Sequence, residues 1–152
     1  MASFYRRLSH APSVGRLVPA YVALGLLKHI LPLPVLVRWA WNGRVVERNP
    51  EAEQRVVTAV SRLRNWLGND RDCLQSSILL YRELSRLGAD PTLEVGFRRH
   101  DERLEGHVWV MVDSRTVPEE VNDRPFVPAL RFGRAGAVLT PDLPDLLVNG
   151  VA

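Results

Sequence analysis

The chain of 152 residues contains a single cysteine, Cys73, and a single lysine, Lys28. One cysteine excludes an intramolecular disulfide framework and a cysteine-rich zinc site, and it is typical of a reducing compartment. Arginine supplies almost all of the positive charge, and the formal net charge is only +3 at pH 7. Because this charge is small, is spread along the chain and accompanies no DNA- or RNA-binding motif, the sequence indicates no nucleic-acid partner.

Long hydrophobic runs are also missing. Lys28 and two prolines, Pro32 and Pro34, interrupt the most apolar stretch, residues 17–41, whereas a membrane-spanning helix needs roughly 18–20 uninterrupted apolar residues. No signal-peptide cleavage site follows the stretch, so we expect a cytoplasmic protein. We interpret residues 1–48 as an apolar helical part that packs on the main domain; the alternative is an exposed surface that docks a partner or a membrane.

Nothing in the sequence divides the chain into more than one domain. The hydrophobic content of 46% suffices for one core, and there is no internal repeat. We therefore predict one domain over residues 1–152, with a catalytic core at 49–132 and a C-terminal tail at 133–152. The tail contains an apolar triplet, residues 137–139, that predicts an edge strand.

Helix and strand signals alternate within the core. Asn49-Pro50 is typical of a helix start, and apolar residues at helical spacing predict a helix over residues 51–67. A second helix is predicted to begin at Cys73 and to end at Gly88. The strands predicted next are residues 92–97 and 106–113, joined by a polar loop at 98–103. The pattern predicts an α+β fold in which the Cys73 helix packs on a small antiparallel sheet.

Cys73 is a candidate nucleophile because it lies in the first turn of its predicted helix. There the amide dipoles favour a thiolate and free N–H groups can bind an oxyanion. The alternative is a small buried apolar residue, which is what most lone cysteines are. His107, on the second predicted strand, shares a face with Trp109 and Met111. A helix packed on that sheet brings thiol and imidazole within reach, as an activated cysteine requires.

These residues belong to two motifs that resemble those of transglutaminase-like cysteine peptidases. The motifs are Asp72-Cys73-Leu74-x-x-Ser77-x-Leu79-x-Tyr81 and Gly106-His107-Val108-Trp109-Val110. More narrowly, the chain resembles the stand-alone leader peptidases of lasso-peptide biosynthesis in bacteria. The resemblance implies a Cys-His-Asp triad with no metal or organic cofactor. It also implies three partners: a precursor peptide, a small leader-binding recognition protein and a lasso cyclase.

The acid of the implied triad has two candidates. The family setting Asn-Asp/Glu-x-Pro-x-Val resembles Asn122–Val127 and selects Asp123, whereas an ungapped count from His107 selects Glu119. A hairpin with a three-residue loop at 114–116 would place residue 123 directly across from His107. We therefore choose Asp123, with Glu119 as the alternative; either carboxylate can instead be a solvated loop residue.

The expected reaction is peptide hydrolysis through an acyl-enzyme on Cys73. The backbone N–H of Cys73 is the first candidate for an oxyanion-hole donor, and the side chains of Asn69 and Gln75 are candidates for the second. Two alternatives remain open from the sequence. One is amide exchange or acyl transfer by the same residues, and the other is a non-catalytic scaffold of the same fold.

Overall fold

The computed structural model describes residues 14–43, 46–67, 73–118 and 126–139, in which four helices precede a five-stranded antiparallel sheet. The helices are α1 (Val14–Leu27), α2 (Leu33–Ala40), α3 (Pro50–Trp66) and α4 (Cys73–Arg86). The strands are β1 (Thr92–His100), β2 (Arg103–Val112), β3 (Arg115–Val117), β4 (Val127–Phe132) and β5 (Val138–Leu139), in the spatial order β3-β2-β1-β4-β5. This architecture confirms the predicted α+β class, and β5 confirms the predicted edge strand.

Helix α4 is the centre of the fold. It packs on β2 and β1 on one side and is surrounded by α1, α2 and α3 on the others. Its apolar residues Ile78, Leu79, Tyr81 and Leu84 are fully buried, so the core lies between this helix and the sheet. The helix ends before Gly88, whose φ of +84° and close approach to a backbone carbonyl suit glycine alone.

Helix α3 starts as its sequence predicts. The Asn49 side chain accepts a hydrogen bond of 3.1 Å from the Ala52 N–H, and proline occupies the first helical position. The helix buries the valines and the leucine that recur at helical spacing, among them Val56, Val60 and Leu63. Its inner face therefore closes one side of the core against α4.

The β1–β2 hairpin is longer than predicted. Its strands pair up to a two-residue turn at Asp101 and Glu102, so the polar loop predicted over residues 98–103 is wrong. Arg98 and Glu105 lie opposite each other in this register, with the Arg98 Nε 2.8 Å from a Glu105 carboxylate oxygen. The charged residues that favoured a loop thus form a cross-strand ion pair.

The β2–β3 hairpin also has a two-residue turn, formed by Asp113 and Ser114. Both residues have left-handed backbone conformations, with φ of 51° and 63°, which is typical of a type I′ turn. Val112 pairs with Arg115 at the base of the turn. The three-residue loop predicted at 114–116 is therefore wrong, and the register of β3 on β2 differs from the predicted one.

Helix α1 packs against α3 and α4 through Leu17, Tyr21 and Leu24, which are buried. Its inner face therefore packs on the rest of the fold, as the first interpretation of this apolar segment predicts. No helix in the described ranges combines the length and the apolar character needed to cross a bilayer.

Candidate active site

Helix α4 begins against an edge of β2 that β3 leaves uncovered. β3 pairs with β2 only at residues 110–112. Because backbone groups alternate sides along a strand, those of Val108 point to the same side as those of residue 110, but beyond the described pairing with β3. Helix α4 bonds to them instead: the Ser77 hydroxyl donates to the Val108 carbonyl at 2.8 Å, and the Val108 N–H donates to the Cys73 sulfur. The first turn of α4 is therefore fixed to the residue that follows His107.

The structure brings Cys73 and His107 together, and the imidazole is hydrogen-bonded to the sulfur. Burial alone raises the pKa of the Cys73 thiol. The hydrogen bond with His107, the N–H of Val108, the charge of His107 and the N–H of Leu74 lower this pKa by more than burial raises it. The pKa of Cys73 consequently lies below the ordinary value of a cysteine, so the thiolate persists to lower pH.

Aromatic side chains hold the imidazole of His107 in place. The ring of Phe126 stacks on it with centroids 4.9 Å apart, and that of Trp109 lies 6.0 Å away on the predicted shared face. Gly96 gives the Trp109 ring its space, because a Cβ at residue 96 would come within 2.6 Å of that ring. The Arg98 guanidinium lies 4.3 Å from the centroid of Phe126, on which it makes a cation–π contact.

The sequence analysis gave no role in this stack to Phe126 or Arg98. Phe126 had a weak signal, since it directly follows the residues that resemble the acid motif. Arg98 had none, because a single arginine in a charged stretch looks like any other. Together these two side chains restrict the orientation of the ring that meets the thiol.

Both candidates for the third residue, Asp123 and Glu119, lie outside the described residues. The register argument that selected Asp123 is wrong, because Met111 pairs with Thr116 and not with Glu119. The turn begins one residue earlier and is one residue shorter than predicted, so every partner on β3 moves by three positions. The sequence motif, and not the register, then distinguishes the two carboxylates.

Of the side chains considered as a second oxyanion donor, Gln75 is engaged elsewhere. Its Nε2 donates to the Tyr21 carbonyl at 2.6 Å, and its Oε1 accepts from the Lys28 ammonium at 3.2 Å. Both ends of this buried carboxamide are therefore held by residues of α1 and the turn after it. Asn69 lies outside the described residues. The Cys73 N–H remains in the position expected of the first donor, at the start of a helix.

A small open pocket lies next to the residues that fix the start of α4. It has room for about 20 Å³ of solvent between α3, α4, β2 and the end of β3. Ser77 and Val108 line it together with Val60, Arg64, Trp109 and Val117. In the part of the chain that the structure describes, no three His, Cys, Asp or Glu side chains come together to hold a metal ion.

Comparison with known proteins agrees with this geometry. No curated protein and no solved structure matches the chain. A family profile described as the transglutaminase-like superfamily matches residues 15–131, which include both motifs and run from α1 into β4. Cysteine hydrolases are common in that superfamily. With most of its length matched, and with Cys73 and His107 in contact, the chain belongs to the transglutaminase-like superfamily.

Proposed function

We propose that this protein is a cysteine peptidase that removes the leader from a ribosomally synthesised lasso-peptide precursor. The observation that carries the proposal is the contact between the Cys73 sulfur and the His107 imidazole at the start of α4, with the pKa of the thiol lowered. A buried structural cysteine needs neither the contact nor the lowered pKa, which argues against the scaffold alternative.

In the proposed reaction the Cys73 thiolate attacks the carbonyl carbon of the scissile peptide bond. The carbonyl oxygen becomes an oxyanion near the Cys73 N–H, and the protonated His107 then gives its proton to the leaving amine. The C–N bond breaks and a thioester remains on Cys73. Next, His107 takes a proton from water, the hydroxide attacks the thioester, and the new carboxylate leaves while the thiol is restored.

Asp123 is the proposed partner that orients His107 and offsets its positive charge. Phe126, three residues further along the chain, contacts the imidazole itself. The contact brings the end of the motif that contains Asp123 to His107, which supports Asp123 as this partner.

The proposed substrate is an extended precursor peptide, whose scissile bond would lie against the Cys73 sulfur. A separate leader-binding recognition protein would deliver the precursor. The cleavage would expose the amine that a lasso cyclase then uses, in the bacterial cytoplasm where the precursor is made. This division of labour is the one that the resemblance to stand-alone leader peptidases implies.

The test is cleavage of synthetic lasso precursors, each supplied with the leader-binding protein of its own pathway, in ¹⁸O-enriched water. We expect one cut between leader and core, ¹⁸O in the new carboxylate, and no product with Cys73→Ala. Mass spectrometry reads both the position of the cut and the label. The Cys73→Ala protein should melt at nearly the wild-type temperature, because the exchanged side chain is small and only partly buried.

Other outcomes would replace the proposal. If added glycinamide is found joined to the leader, the acyl-enzyme meets an amine and the protein is an acyltransferase. If a mixture of unrelated peptides is cut while no lasso precursor is, the protein is a peptidase of another kind. If iodoacetamide labels Cys73 only in alkali and nothing is cut, the domain is a scaffold.

A further inference from the structure

We propose that the outward faces of α1 and α2 dock on an anionic phospholipid surface. Five large apolar side chains form these faces, and we call them the N-terminal apolar face: Val22, Leu26, Ile30, Val35 and Trp39. The inference is independent of the peptidase proposal, since none of the five contacts Cys73 or His107 in the geometry described above.

On α1 the exposed residues follow one line. Val22, Leu26 and Ile30 are four residues apart, so they lie above one another along a single side of the helix and the turn that follows it. Leu26 is 65% exposed and Ile30 is 75% exposed. The opposite side of α1, with Leu17 and Tyr21, is buried against the core. Helix α1 is therefore apolar on both sides, although only one side is covered.

On α2 the pattern repeats. Val35 and Trp39 are again four residues apart, and Trp39 is 69% exposed. Five of the exposed large apolar residues of the described chain thus fall within 18 consecutive positions, 22–39. Each helix thus presents its own row of exposed apolar side chains, and tryptophan favours the boundary between a bilayer and water.

Charge identifies the partner. Six of the 20 Lys and Arg residues precede Glu47, whereas none of the 17 Asp and Glu residues does. Residues 1–46 therefore carry a formal charge of +6 and the rest of the chain −3. Arg16 on α1 and Arg38 on α2 are both exposed. An apolar face in a segment of uniformly positive charge complements anionic headgroups above a hydrocarbon layer.

The mode of attachment follows from the size of the helices. Neither α1 nor α2 is long enough to span a bilayer. The N-terminal apolar face would instead lie in the plane of the interface, with its side chains among the upper acyl carbons and the arginines among the phosphates. The binding would be reversible and sensitive to salt, because exposed charge pairs are screened by ions.

The test is co-sedimentation of the purified protein with vesicles of phosphatidylcholine and phosphatidylglycerol, and with vesicles of phosphatidylcholine alone. We expect binding to the anionic vesicles only, weakened at high salt. Leu26→Glu should lower the partition coefficient by about tenfold or more, and Arg16→Gln by about fivefold. The matched control is Leu104→Glu, the same change at a residue of β2 that is 73% exposed. It should bind as the wild type does, and circular dichroism should show all variants folded.

Three outcomes would overturn the inference. The first is a wild type that stays in the supernatant with anionic vesicles. The second is a loss of binding as large in Leu104→Glu as in Leu26→Glu, which would mean that any added acid weakens a nonspecific attraction. The third is a wild-type dimer in light scattering that Leu26→Glu dissociates while neither protein binds vesicles. The face would then join two copies of the chain.

Discussion

Two neighbouring parts of β2 use the same strand edge in different ways. From residue 110 to residue 112, the edge is hydrogen-bonded to β3, as in any antiparallel sheet. Two residues earlier, at Val108, the edge is bonded to the first turn of α4 through Ser77 and Cys73. The difference shows how the fold positions a nucleophile. Helix α4 bonds to the Val108 backbone groups that the described β3 does not pair with, and this brings the Cys73 thiol beside His107, the residue before Val108.

The second arrangement also changes the chemistry. The Val108 N–H, which in a longer sheet would bond to a neighbouring strand, donates to the Cys73 sulfur and so helps to lower the pKa of the thiol. The part of β2 that pairs with β3 should thus contribute stability, and the part bonded to α4 reactivity.

The largest expected effect is that of His107→Ala on the reactivity of the thiol. The variant loses the hydrogen bond and the charge that lower the pKa of Cys73, while the burial that raises it remains. The midpoint of iodoacetamide alkylation against pH should therefore move up, to about 8.5 or above, and alkylation at pH 6 should slow by at least about tenfold. The matched control is His100→Ala, on the β1–β2 hairpin, which should keep the wild-type profile. Equal shifts in both variants would contradict the assignment of His107.

A smaller effect is expected from Ser77→Ala, which leaves the Val108 carbonyl without its buried hydrogen bond. The loss should cost about 1–2 kcal/mol of unfolding free energy and slow alkylation of Cys73 at pH 6 severalfold, because the start of α4 loosens from β2. Ser85→Ala is the matched control at the other end of the same helix. The Ser85 hydroxyl is buried and bonds to the Arg82 carbonyl at 2.8 Å. Its loss should lower stability similarly but leave alkylation unchanged. A slowing shared by both variants would indicate general loosening of α4.

The smallest effect is expected at the β3 end. Ser114 has a left-handed φ of 63°, and Ser114→Gly produces the Asp-Gly sequence that type I′ turns prefer. The substitution should raise the unfolding free energy by about 0.5–1 kcal/mol, measured by urea denaturation, without altering the alkylation profile. A change in the alkylation profile would show that the part of β2 paired with β3 is coupled through the strand to the part bonded to α4.

Local patterns in the sequence were sufficient for the main elements of the candidate site. The helix start at Cys73 and the strand with His107 and Trp109 on one face each depend on neighbours a few residues away. The attachment of α4 to Val108 was not predictable in this way. It uses the backbone N–H and C=O of Val108, which every residue other than proline has, so the residue type gives no signal. The stack of Arg98 and Phe126 on His107 was missed for the same reason, since its members are distant in the chain.

The register of the β2–β3 hairpin shows where sequence patterns mislead. The sequence analysis placed a hairpin turn at residues 114–116, and the structure forms the turn at Asp113 and Ser114. Two-residue and three-residue loops are both compatible with such residues, however, and the choice between them shifts the partner of every position. The structure has the two-residue loop. The prediction that residue 123 lies opposite His107 required the three-residue loop and therefore has no geometric support. The distinction between Asp123 and Glu119 therefore depends on the motif and on Phe126.

The hydrogen bonds that hold the Gln75 side chain, from its amide to the Tyr21 carbonyl and to it from Lys28, connect the start of α4 with α1. Residue 25 is a glycine whose missing Cβ would lie 2.7 Å from the Gln75 amide nitrogen, and Gln75 is two residues from Cys73. A side chain at position 25 would therefore push the carboxamide away from the Tyr21 carbonyl and the Lys28 ammonium that hold it. Helix α1 contributes no reacting group, yet the residue at position 25 is constrained by its contact with Gln75. A fragment that begins at residue 49 would lose both hydrogen-bond partners of the Gln75 side chain, two residues from Cys73.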